Sequence, residues 1–100
     1  MAALTGAQIK QLRGMAHELK PVLMVGKGNI TTDVVARANE VLEARELIKC
    51  SVLDTSELDV REAAEDLASR SGAQVVQIIG HKFVLYRASH RRDIKRIELV

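Results

Sequence analysis

In 100 residues the chain has one cysteine, one proline, one phenylalanine, one tyrosine and no tryptophan. A solitary Cys50 excludes an internal disulfide, and it has no companions at zinc-ligand spacing. That fits a reducing compartment, so a cytoplasmic location is expected. With Phe83 and Tyr86 the only Phe, Tyr or Trp residues, a sheet that stacks several nucleobases on such side chains is excluded. No apolar stretch approaches the roughly 20 residues that cross a bilayer. The opening ten residues have neither the charged lead nor the apolar run of a secretory signal, so neither a signal nor a membrane partner is expected. Catalytic patterns are missing too. His17, His81 and His90 fall on different elements, and no serine sits in a nucleophile-elbow pattern. Cys50, between Ile48 and Val52, reads as a small core residue. The expectation is a protein without enzymatic activity, cofactor or metal.

What is present is an ordinary globular composition, 47% hydrophobic and 28% charged, at the size of one domain. The net charge of +2 hides an uneven distribution. Residues 1–30 hold four basic and one acidic group, residues 31–70 five and ten, and residues 71–100 six and two. If the two basic thirds adjoin in space, one side of the molecule is positive, which points to a polyanionic partner.

Thr5-Gly6-Ala7-Gln8 has the form of a capping box, and Ile9, Leu12, Ala16 and Leu19 continue at helical spacing until Pro21 stops the helix. Val22 to Val25 is a short apolar strand, and Gly26-Lys27-Gly28-Asn29 is a turn. A second helix is expected from Thr31 or Thr32 to about Arg45, burying Val34, Val35, Ala38, Val41 and Leu42. Leu47 to Leu53 forms a strand with Ile48, Cys50 and Val52 on one face. Asp59-Val60-Arg61-Glu62 caps a third helix, which Gly72 ends as a left-handed cap. Ala73 to Ile79 and Phe83 to Arg87 form a hairpin around Gly80-His81-Lys82. The order α-β-α-β-α-β-β predicts an α/β (α+β two-layer) fold, a four-stranded mixed sheet with three helices. Residues 1–88 form the domain, and residues 89–100 are a basic tail of it. A monomer is expected.

Three features could carry chemistry. Lys10, Arg13, His17 and Lys20 step by 3, 4 and 3 along one side of the first helix, interrupted only by Glu18; they are either a solvated face or a row of phosphate contacts. The turn Gly26-Lys27-Gly28-Asn29 lies between a strand and a helix N-terminus, where glycine amides and a lysine can approach phosphate. It matches neither the Walker spacing nor the dinucleotide fingerprint, since Thr31 holds the place of the last glycine. The tail, Arg87, His90, Arg91, Arg92, Lys95 and Arg96, is either an electrostatic arm that orders on RNA or a solubilising end. Acids Glu40, Glu43 and Glu46, with Glu62, Glu65 and Asp66, are spaced as solvated helix faces. They leave open an alternative in which the chain docks a basic ribosomal protein.

Leu12 to Val22 (Leu-Arg-Gly-Met-Ala-His-Glu-Leu-Lys-Pro-Val), followed by Val25-Gly26-Lys27-Gly28-Asn29-Ile30-Thr31, resembles the CRM domain (chloroplast RNA splicing and ribosome maturation). Its stand-alone bacterial YhbY-type members are the most similar. Glu46-Leu47-Ile48-Lys49, Gly72 and the hairpin Ile79-Gly80 with Val84-Leu85-Tyr86-Arg87 extend the likeness over residues 4–88. The resemblance implies a fold similar to the C-terminal domain of translation initiation factor three, RNA as partner, and association with precursors of the large ribosomal subunit. It assigns RNA contact to a glycine loop, here Gly26, Lys27 and Gly28, with Asn29 standing where the family has its second loop glycine. It carries the basic first helix over through Arg13, His17 and Lys20. The RNA-contacting set expected from residues and resemblance together is Lys10, Arg13, His17, Lys20, Gly26, Lys27, Gly28, Asn29, Lys82, Arg87, Arg91 and Arg92.

Overall fold

Each helix starts on the capping side chain that the sequence offers for it. In the computed structural model, which describes residues 3–100, the Thr5 hydroxyl accepts from the Gln8 amide at 3.1 Å and the Gln8 side chain accepts from the Thr5 amide at 2.9 Å, opening α1 (Gly6–Ala16). Thr31 caps α2 (Thr32–Arg45) through the Val34 amide. Asp59 and Glu62 form the reciprocal box that starts α3 (Val60–Ser71), and Gly72, at φ +69°, closes it in the left-handed conformation. Strands β1 (Pro21–Val25), β2 (Leu47–Val52), β3 (Gln74–Ile79) and β4 (Lys82–Tyr86) complete the expected order.

One boundary differs from expectation. α1 ends at Ala16, four residues short of Lys20, with tightened last-turn bonds from His17 to Gly14 and from Leu19 to Ala16. Gly14 weakens that last turn, and Pro21 is the first residue of β1 rather than the helix stop. Lys20 is therefore on the connection, not on the helix.

The sheet order is β1-β2-β4-β3, with β1 parallel to β2 and the other two pairings antiparallel. α2 makes the parallel crossover, and the returning strand of the hairpin inserts between β2 and β3. One end of the sheet holds Pro21, Leu47, Gln74 and Tyr86, and the other holds Val25, Val52, Ile79 and Lys82. The α+β class, three helices and a four-stranded mixed sheet, is as expected, but the layering needs amendment. α2 and α3 cover one face over Leu23, Val25, Ile48, Cys50, Phe83 and Leu85. α1 covers the other, packing Leu12 and Ala16 on Leu47, Val76, Val84 and Tyr86. Both faces of β4 are apolar, since Phe83, Val84, Leu85 and Tyr86 are all buried, so helices are needed on both.

Residues 87–100 form no helix or strand, yet they are held. Ile97 and Leu99 join the α1-side cluster, and Gln8 and Gln11 bond the backbone of Glu98 and Val100. The tail is a strap along α1.

Candidate nucleic-acid interface

α1 runs crosswise over the strands. Its lead-in residue Leu4 donates to the Gln74 side chain at 2.8 Å on the β3 edge, and the chain descends at Pro21 into β1, the opposite edge. At 3.6 residues per turn, α1 has three sides. Ile9, Leu12 and Ala16 face the sheet. Gln8, Gln11 and Met15 face the strap. Lys10, Arg13 and His17 occupy the remaining flank and are exposed. The strap attaches at the Pro21 end of the sheet, through Glu46 and Arg87, so the cationic flank looks the other way, toward the Val25 end.

The sheet surface in front of that flank is not covered by α1. Met24 pairs with Ser51, Ser51 with Lys82 and Lys82 with Ile79 in one lateral row. Met24 and Ile79 are 51% and 56% exposed. Period-two alternation puts this row on the α1 side, because Val25, Cys50, Val52, Phe83 and Ile78 point to the other core. Lys49, two residues before Ser51, shares the same side. At the end of β1 stands the turn with Lys27, exposed at its tip. Among the described residues, none of Lys10, Arg13, His17, Lys20, Lys27, Lys49 and Lys82 takes part in an ion pair.

The glycines of the turn are not its left-handed residues. Gly26 and Gly28 have ordinary φ, and the left-handed residue is Asn29, at φ 55°. Its amide donates to Gly26 O at 2.9 Å, closing the turn. Its side-chain oxygen accepts from the Ser56 hydroxyl at 3.1 Å and the Glu57 amide at 2.9 Å. Asn29 thus points into the neighbouring loop and ties the two together, leaving Lys27 and Gly28 outward.

Two basic residues of the tail are engaged by carboxylates of the protein itself. Arg87 is only 12% exposed at its side chain. Its guanidinium donates to the Asn39 side-chain oxygen at 2.7 Å, to Ser71 O at 2.6 Å and to the Glu43 carboxylate at 3.1 Å, so it joins β4 to α2 and α3. Arg91 pairs with Asp93 at 2.6 Å. That pairing raises the Arg91 pKa and holds the Asp93 carboxyl below its usual value. Arg92 is exposed, beside Lys95 and Arg96, on a groove of about 1100 Å³ bordered by Gln11 and Met15. That groove lies on the strap side of α1, opposite the Lys10 flank. The basic segments therefore do not merge into one surface. Helix flank, turn and Lys82 border a common face, and the tail lies behind the helix.

Glu40 is exposed as its spacing suggested, but Glu43 and Glu46 are not part of a solvated face. Glu46 is 1% exposed and sits at φ +64°. Its carboxylate accepts from the Ser89 amide at 2.6 Å and the Ile97 amide at 2.7 Å, and its carbonyl accepts from the Arg87 amide. Glu43 accepts from Arg87 and from the backbone and ring of His90. Burial pushes its carboxyl up, but those hydrogen bonds together hold it below the usual carboxylate value. Burial pushes the Cys50 thiol up to about 12.

Lys49 is the functional candidate that sequence reasoning passed over. Alternation in β2 was the available signal: with Ile48, Cys50 and Val52 inward, Lys49 had to face the α1 side.

Residues 4–87 match the CRS1/YhbY (CRM) domain. The chain is 47% identical over 96 residues to the probable RNA-binding protein YqeI of Bacillus subtilis, covering 96% of this chain and 98% of that one. An RNA-binding protein of Haemophilus influenzae is 35% identical over 95 residues, covering 95% and 96%. The solution structure of the hypothetical protein SAV1595 from Staphylococcus aureus superposes with a TM-score of 0.76 at 38% identity, over 95% of this chain and all of that one. The topology, the glycine turn and these likenesses lead to one assignment: the chain belongs to the CRS1/YhbY (CRM) domain family.

Proposed function

We propose that the protein is a monomeric, non-catalytic RNA-binding factor that contacts structured RNA of the large ribosomal subunit precursor during assembly. The observation that carries the RNA reading is the convergence of Lys10, Arg13, His17, Lys49, Lys82 and Lys27 around one uncovered sheet face with, among the described residues, no carboxylate paired to any of them. The names of the bacterial relatives support RNA as the partner. The family resemblance supports the ribosomal target. With Phe83 and Tyr86 both buried and no tryptophan in the chain, recognition rests on phosphates and shape rather than on base stacking.

If about five phosphates are neutralised, affinity for a structured RNA falls by roughly two decades between about 50 and 200 mM salt. Replacing Arg13 and Lys27 together with glutamine lowers the affinity and flattens that slope while the urea midpoint stays put. A salt-independent affinity would refute the reading. Crosslinking in cells followed by sequencing of attached RNA tests the ribosomal assignment, with large-subunit precursor sequences expected to dominate.

A further inference from the structure

At the Pro21 end of β1 a small pocket of about 90 Å³ opens between three elements. Val22, Leu47 and Ile48 give it an apolar floor, and Lys20, Arg45 and Lys49 reach it from the α1–β1 connection, the last turn of α2 and the β2 strand. A bulge makes room for it. Pro21 pairs with Lys49 and Leu23 with Cys50, so Val22 is an extra residue in the β1 ladder. Bulges of this kind bend an edge strand and re-aim its side chains. No acidic residue lines the pocket, and none of the three cations is in an ion pair among the described residues.

Size and charge narrow the ligand. Sites for whole small molecules run to about 300–1,000 Å³, so a nucleoside does not fit and a single oxyanion group does. Three cations outmatch the one negative charge of a backbone phosphodiester. A phosphate monoester carries roughly 1.5 to 2 negative charges near neutral pH and offers three acceptor oxygens. We infer that this pocket takes the terminal phosphate monoester of an RNA strand. The inference rests on the RNA-binding reading above and adds to it a polarity. From the pocket, β1 runs five residues to the turn, about 17 Å at roughly 3.3 Å per residue. A strand anchored by its end in the pocket is thereby laid along β1 toward Lys27. The duller account leaves Arg45 complementing the carbonyl end of α2 and the two lysines in solvent; it predicts no preference for a phosphorylated end.

The test uses the full chain and one RNA oligonucleotide made in three forms: 5′-phosphate, 3′-phosphate and hydroxyl at both ends. One phosphorylated form is expected to bind about tenfold tighter than the hydroxyl form, the gain of a single charge-assisted contact set. Lys20→Gln and Lys49→Gln each bring that ratio close to one, whereas Lys27→Gln lowers the affinity of all three forms and keeps the ratio. Lys20 is exposed on a connection, so Lys20→Gln decides the matter if Lys49→Gln disturbs the sheet. Equal affinities for the three forms overturn the pocket assignment while RNA binding stands, and no binding by any form overturns both. Titration with inorganic phosphate, followed at the Val22 and Lys49 amides, separates the remaining source. Perturbation there together with loss of the end preference supports the assignment. Perturbation without any preference among the RNAs assigns the pocket to a free oxyanion and overturns it.

Discussion

Replacing Glu46 by alanine tests the strap most directly. The carboxylate takes two backbone donors, Ser89 at 2.6 Å and Ile97 at 2.7 Å, from points eight residues apart in the tail. A hydrogen bond to a charged group contributes about 1.5–3 kcal/mol, so the pair contributes roughly 3–6 kcal/mol to holding the tail down. Removing it leaves the buried Ser89 amide without its acceptor and frees Ile97 and Leu99 to leave the α1-side cluster. At about 1.4 kcal/mol per decade, amide exchange at Ser89 and Ile97 should speed up by roughly two to four decades in Glu46→Ala. Amides of β2 and β4 should change far less, because the sheet ladder does not depend on the tail. Glu46→Gln, which keeps one acceptor oxygen, should fall between. If Ser89 and Ile97 already exchange in the native chain as fast as Arg92, or if Glu46→Ala leaves their protection intact, the strap is not held as described.

Arg87→Ala should cost about 1.5–3 kcal/mol in urea unfolding, the range for hydrogen bonds to a charged group, because it removes the donor to the Asn39 side chain and the Ser71 carbonyl. A cost below about 1 kcal/mol would return Arg87 to the surface. Acid should loosen the same region. The Glu43 carboxyl is held below the usual carboxylate value, so its contribution is fully present above that value and is lost as pH falls through the lowered one. Amides of His90 and its neighbours, followed by NMR from pH 6 downward, should keep their protection to about pH 4.5 and lose it below; loss already complete near pH 6 would refute this account. With its thiol at about 12 and no exposure, Cys50 should not react with a thiol reagent at about pH 8 until urea unfolds the chain, and prompt labelling of the native protein would contradict its burial.

Much of the fold was legible because local and global signals agreed. Thr5 with Gln8 and Asp59 with Glu62 fixed two helix starts, Gly72 a helix end, and the apolar period of each segment its type. The layer count was not legible, since β4 reads as a continuous apolar run that says nothing of which helix lies on which face. The end of α1 does not follow from Pro21, because Gly14 already weakens the last turn. At the candidate site, Lys10, Arg13 and His17 could be grouped from their spacing, whereas their face toward Lys82 depends on where the strap lies. Arg87 and Glu46 were misread for a single reason. Their partners are 44 and 51 residues distant in sequence, and a charge that finds a tertiary partner looks, in sequence, like any solvated charge.

The lock between Asn29 and the Ser56–Glu57 segment bears on how the basic turn meets an anion. A loop fastened to its neighbour reaches its ligand with little conformational freedom left to lose. Exchanging Asn29 for glycine would bring the chain closer to the family pattern on paper, yet it would cut that fastening and leave Lys27 on a slacker tip. In this chain the asparagine is part of what presents the lysine, and glycine would be the poorer residue there.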